Sequence, residues 1–155
     1  MAHQPTALSE AEAAAERGDH TTALRLLKAA ASAAPTDAAI AYRLGAEYAH
    51  LELFDAAEAE MARALASGPE HPVARFHLGL LQITRGRFQD ALATWQALDA
   101  LPKDHALRCY KQAFEHLTED AFAPARTRLE AGLAGWGSAP TLDRDMRRLL
   151  DSLPA

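Results

Sequence analysis

The side chains with most chemical reach are few and far apart. Seven histidines are scattered over 155 residues, and one of them, His105, stands four positions before the only cysteine, Cys109. On a helix that spacing puts an imidazole and a thiol on one face, where both could meet a metal. Two ligands without a third nearby do not make a metal site, and Cys109 reads as a small packing residue. The adjacent acids Glu119-Asp120 read as a turn between helices. There is no glycine-rich phosphate loop, no H-E-x-x-H and no nucleophile elbow. The expectation is a chain that is not an enzyme and holds no cofactor or metal. What recurs instead is a pattern: Arg43, His77 and Lys111 fall at intervals of 34 residues, each directly after an aromatic residue, Tyr42, Phe76 and Tyr110.

That interval organises the whole chain. Residues 72–105 read as two short helices joined at Arg85-Gly86-Arg87, with Leu78-Gly79 inside the first and Phe88, Ala91, Trp95 and Leu98 along one face of the second. Shifted back by 34, Leu78-Gly79 lands on Leu44-Gly45, Phe88 on Phe54, Ala91 on Ala57 and Trp95 on Met61. The copies run 4–37, 38–71, 72–105 and, in degenerate form, 106–139, where Ala113 replaces the glycine and Phe122, Ala125, Leu129 and Gly132 follow. Asp19 and Asp37 are placed to cap helix starts, Gly18 and Gly68-Pro69 to end helices, and Gly135, Gly137 and Pro140 mark a loop. A last helix over 140–153 presents Leu142, Met146, Leu149, Leu150 and Leu153 on one face. Asp143, Arg144, Arg147 and Arg148 lie mostly on the other, as a terminal cap with a polar outer face requires. The fold class is therefore all-α, a single domain of four helical hairpins plus a capping helix.

Composition narrows the function classes. The net charge of −5 disfavours nucleic acid and anionic membranes as partners, since both call for a surplus of Lys and Arg. Residues 1–70 hold 5 Lys+Arg against 11 Asp+Glu, and residues 71–155 hold 11 against 10; this is either solvated helix surface or an acidic end that selects a basic partner. No run of about 18 apolar residues is present to span a bilayer. The first residues lack the basic start and apolar run of a secretory leader. With one cysteine no intrachain disulfide can form, and a cytoplasmic, reducing setting is expected.

The residues Leu44-Gly45, Tyr48, Ala57 and Pro69, then Leu78-Gly79, Ala91 and Trp95, resemble the pattern W-x₂-L-G-x₂-Y…A-x₃-F…P of tetratricopeptide (TPR) repeat proteins. The leading Trp is absent, with Ala7, Ala41, Arg75 and Cys109 in its place, and Gln82 and His116 replace the Tyr48-type residue. The resemblance implies a right-handed α-solenoid whose first helices line a concave groove for an extended peptide or a helix of another protein. On that register the groove wall takes Tyr42, Arg43, Phe76, His77, Leu80, Ile83, Tyr110, Lys111, Phe114 and Leu117.

Alternatives stay open for that wall. Its apolar side chains either pack between neighbouring first helices or under the C-terminal helix, hold an apolar or amphipathic segment of a partner, or bury against a second copy in a homodimer. The row Arg43, His77 and Lys111 either bonds a partner's carboxylates or only rims the groove. Leu8 and Glu12 stand where the carboxylate-binding Lys and Asn of one chaperone-binding subfamily would be, which argues against a clamp of that kind. The expected function is a protein-binding adaptor or small chaperone of bacterial type. The rivals are a self-associating structural module and a chaperone like those of bacterial secretion systems. The latter is disfavoured because the first repeat begins almost at the start of the chain.

Overall fold

The computed structural model describes residues 6–68 and 71–155. Among the described residues the regular structure is helical, apart from one isolated bridge between His105 and Trp136. The chain groups into two compact units, 1–74 and 75–155.

The first unit holds α1 (Ala7–Glu16), α2 (His20–Ala33), α3 (Ala38–His50) and α4 (Phe54–Ser67). Ala- and Leu-rich strings favour helix throughout, and polar caps set the starts of α1, α2 and α3, whereas α4 begins after Leu53 without a side-chain cap. The Thr6 hydroxyl accepts from the Ser9 amide at 3.1 Å, and the Asp19 carboxylate from Thr22 at 3.2 Å. Asp37 accepts from Ala39 at 3.0 Å and from Ile40 at 3.2 Å. The last two are the caps expected from sequence. Ala11, Leu27, Ala31 and Leu44 form a core against which Leu8, Leu24, Leu26, Ile40 and Tyr48 pack. Ala57, Met61 and Ala64, the expected packing face of α4, are fully buried.

The second unit takes most of α5 (Pro72–Thr84), then α6 (Phe88–Trp95), α7 (Ala106–Leu117), α8 (Phe122–Ala134) and α9 (Pro140–Ser152). Helix α6 tightens into a 3₁₀ turn over Gln96–Ala100, so the second helix of this hairpin is shorter than its counterparts. Ala91, Trp95 and Leu98 are buried as expected, but Phe88 is 47% exposed. Phe88 is the first residue of α6, where the helix has only begun to meet its partner. At Ala91, 1% exposed, a larger side chain has nowhere to go. Ala91→Leu is expected to destabilise by about 2 kcal/mol through overpacking; an unchanged urea midpoint would put Ala91 on a different face.

The 34-residue repeat is also written in the backbone. The turn inside each hairpin holds one left-handed residue: Gly18 (φ 80°), Glu52 (60°), Gly86 (77°) and Asp120 (54°). The next amide in each case donates to a carbonyl five residues back. The pairs are Asp19 to Ala14 (2.9 Å), Leu53 to Tyr48 (2.9 Å), Arg87 to Gln82 (2.8 Å) and Ala121 to His116 (3.0 Å). This bond closes a Schellman-type helix end. Glycine takes the left-handed conformation freely, whereas Glu52 carries a β-carbon against the following carbonyl. Glu52→Gly is therefore expected to raise stability by up to about 1 kcal/mol, seen as a higher urea midpoint. A lower midpoint would mean that the Glu52 side chain contributes more than its backbone costs.

Candidate protein-binding surface

In the first unit the candidate wall is polar and already occupied. Tyr42 is buried, its ring 5.2 Å from that of His71. Arg43 pairs with Glu12 at 3.5 Å, an exposed bridge between α3 and α1 of the kind worth at most about 1 kcal/mol. His20 bonds the buried carboxylate of Glu47 and stacks on His50, ring centres 4.0 Å apart.

In the second unit the aromatic residues converge on a core. Phe76 lies parallel to Trp95 at 5.0 Å and meets Tyr110 at 5.8 Å and Phe114 at 6.3 Å, and Trp95 meets Phe114 at 5.2 Å. The Trp95 indole N–H donates to the Phe76 carbonyl at 3.0 Å, which satisfies the one polar atom of a fully buried side chain. A β-carbon on Gly79 would overlap that indole, and one on Gly132 would overlap the Tyr110 ring. These two glycines are what let large rings lie flat on helix backbones.

Neither Phe76 nor Tyr110 has exposed surface. Phe76 packs between neighbouring first helices, and Tyr110 is held by the terminal helix: its hydroxyl donates to Asp143 of α9 at 2.6 Å. Burial, then the hydrogen bond and charge of Asp143, push the phenol well above its usual pKa. Asp143 thus turns inward, where the sequence pattern put it on the outer face. Both packing alternatives raised for the wall are realised here, and these two rings are out of a partner's reach in this conformation.

The basic row is consumed in a similar way. Lys111, 6% exposed, donates to Asp99 at 2.7 Å and to Glu115 at 3.1 Å. Burial alone would lower its pKa, and the two carboxylates more than offset that, leaving it raised. Asp99, on the 3₁₀ turn, is a partner that sequence spacing did not single out.

His77 is partly exposed by surface area, yet its ring is enclosed enough that burial lowers its pKa from 6.5 to about 4. A histidine depressed on folding contributes stability above its unfolded pKa and loses it as pH falls toward the folded one. The expected cost is about 2 kcal/mol between roughly pH 7 and pH 5. Urea titrations at the two pH values check this, with His77→Asn flattening the difference; an equal slope in the variant would assign the loss to other groups.

The apolar remainder of the wall is different. Leu80, Ile83, Phe114 and Leu117 are partly exposed; Phe114 is the partly exposed member of the aromatic cluster, and the three aliphatic residues lie on the same two helices, α5 and α7. His105 and Cys109 are not drawn into a metal site. His105 Nδ1 accepts from the Leu107 amide at 3.1 Å, and its ring packs edge-on against Trp136 at 4.7 Å. The Cys109 thiol points to the Lys103 carbonyl at 3.5 Å. Among the described residues no three His, Cys, Asp or Glu side chains gather in a metal-binding arrangement, and no helix is long and apolar enough to cross a membrane.

Solved structures of similar architecture place the fold. The chain resembles MamA at 18% identity, with a TM-score of 0.66 over 83% of this chain and 75% of that one. A MamA structure from Desulfovibrio magneticus RS-1 matches at 20% identity and TM-score 0.64, over 80% of this chain and 70% of that one. YrrB, described as a TPR protein with an unusual peptide-binding site, matches at 18% identity and TM-score 0.64, over 83% of this chain and 66% of that one. No protein-family model and no curated protein sequence matches the chain. The chain has the tetratricopeptide-repeat fold, of the all-α helical-repeat solenoid class.

Proposed function

We propose that the protein is a non-enzymatic adaptor that holds an apolar or amphipathic segment of another protein against the first helices of its second unit. The observation that carries this reading is the partly exposed row Leu80, Ile83, Phe114 and Leu117. Partly exposed apolar side chains that recur on the first helices beside a buried aromatic cluster suit the docking of an apolar segment. The peptide-binding site attributed to YrrB supports the same use of the fold. Phe76, Tyr110 and Lys111 act in this scheme as the support behind the surface, and His77 as its polar margin.

The test is a pair of charges placed on the row. Leu80→Glu with Leu117→Glu leaves the buried rings untouched and is expected to abolish recovery of protein partners that the unaltered chain retains. Recovery of the same partners at the same yield would overturn the reading. Light scattering on both proteins reports self-association: a dimer lost in the double variant would assign the row to a second copy.

A further inference from the structure

At the 34-residue register of the wall, helix α9 carries basic residues. Helices α5, α7 and α9 begin at Pro72, Ala106 and Pro140, 34 residues apart. The register that carries Phe76 and Tyr110 therefore reaches Arg144, and the one that carries Leu80 and Phe114 reaches Arg148. Arg144, Arg147 and Arg148 lie three and four residues apart, a spacing that gathers them on one side of the helix, and all three are exposed. None is in an ion pair among the described residues. Of the neighbouring acids, Asp143 is engaged by Tyr110, and Asp145 and Asp151 remain on the helix. The charge of Arg147 is felt at the Tyr110 phenol, and that of Arg144 and Arg148 at Asp145.

We propose that the segment bound by the second unit is acidic as well as apolar. Its apolar side chains rest on Leu80, Ile83, Phe114 and Leu117, and its carboxylates meet the Arg144, Arg147 and Arg148 guanidiniums. This rests on the function proposed above and adds the charge of the partner to it. Guanidinium is suited to the task, since its planar fork matches a carboxylate in two parallel hydrogen bonds. A long polyanion is disfavoured by the net charge of −5, so a short segment with a few carboxylates fits better than nucleic acid.

Three synthetic amphipathic peptides with identical leucines, and with Glu, Gln or Lys at the flanking positions, test this by fluorescence anisotropy at low salt. The Glu peptide is expected to bind about tenfold more tightly than the Gln peptide, with the Lys peptide weakest. Arg144→Glu with Arg148→Glu should reverse the order of the Glu and Lys peptides, a gain that a misfolded variant could not show. Equal binding of all three peptides would overturn the assigned charge while leaving the apolar surface standing. No binding by any of them would overturn both. Binding of phosphatidylserine vesicles that depends on the same arginines, or a dimer that the two reversals dissociate, would replace the acidic segment with a lipid surface or a second copy.

Discussion

Gly79→Ala is expected to lower the melting temperature by about 10 °C. The added β-carbon would overlap the Trp95 indole, which is fully buried and fixed by its hydrogen bond to the Phe76 carbonyl. Overpacking and the displaced hydrogen bond together cost about 4 kcal/mol, from which the better helix propensity of alanine recovers about 1. The matching glycine one repeat earlier sets a scale. At Gly45 a β-carbon would come 3.2 Å from the Ala57 carbonyl and 3.2 Å from the end of the unbranched Met61 side chain, which adjusts more readily than a fixed indole, so Gly45→Ala costs much less. In the fourth repeat Ala113 already stands at this position, with Leu129 in place of the indole. Gly79→Ala should accordingly become mild in a Trp95→Leu background, a coupling that a double-mutant cycle measures. Equal damage in both backgrounds would mean that the indole is not what limits the site.

Trp95→Ala is expected to cost about 4 kcal/mol, the largest effect of any single substitution considered. The indole is the piece against which both Phe76 and Phe114 rest, and its removal leaves a cavity that two rings on separate helices cannot both close. Thermal unfolding reads the loss. Fluorescence reads the cause, because the remaining Trp136 is 53% exposed and the variant should keep only its red-shifted emission. A variant as stable as the parent would show that the aromatic core is incidental to the unit.

The helices and their repeat were legible from sequence because they depend on local and periodic signals. Caps at Asp19 and Asp37, small residues at Ala57 and Ala91, and turns at Gly18 and Gly86 act within a few residues of themselves. The left-handed Glu52 and Asp120 were hidden, since neither residue type announces that conformation. The candidate site was only half legible. Periodicity places Phe76, Leu80, Tyr110 and Phe114 on one face of their helices. It does not say how far neighbouring helices close over that face, which depends on side-chain volumes from four helices at once. Lys111 and Asp143 were misleading for a related reason. Each looks solvated in its own helix, and each is drawn inward by a partner, Asp99 or Tyr110, that is distant in sequence.

The proposed function requires partner segments to be held on the face bearing Leu80 and Leu117. Site-specific photo-cross-linking tests it most directly, with a benzophenone side chain at Leu117 or, as control, at exposed Glu130 on α8. Adducts with the Glu-bearing amphipathic peptide that form at Leu117 and not at Glu130 are the predicted result. Adducts at Glu130 alone, or at both sites in equal yield, would contradict it.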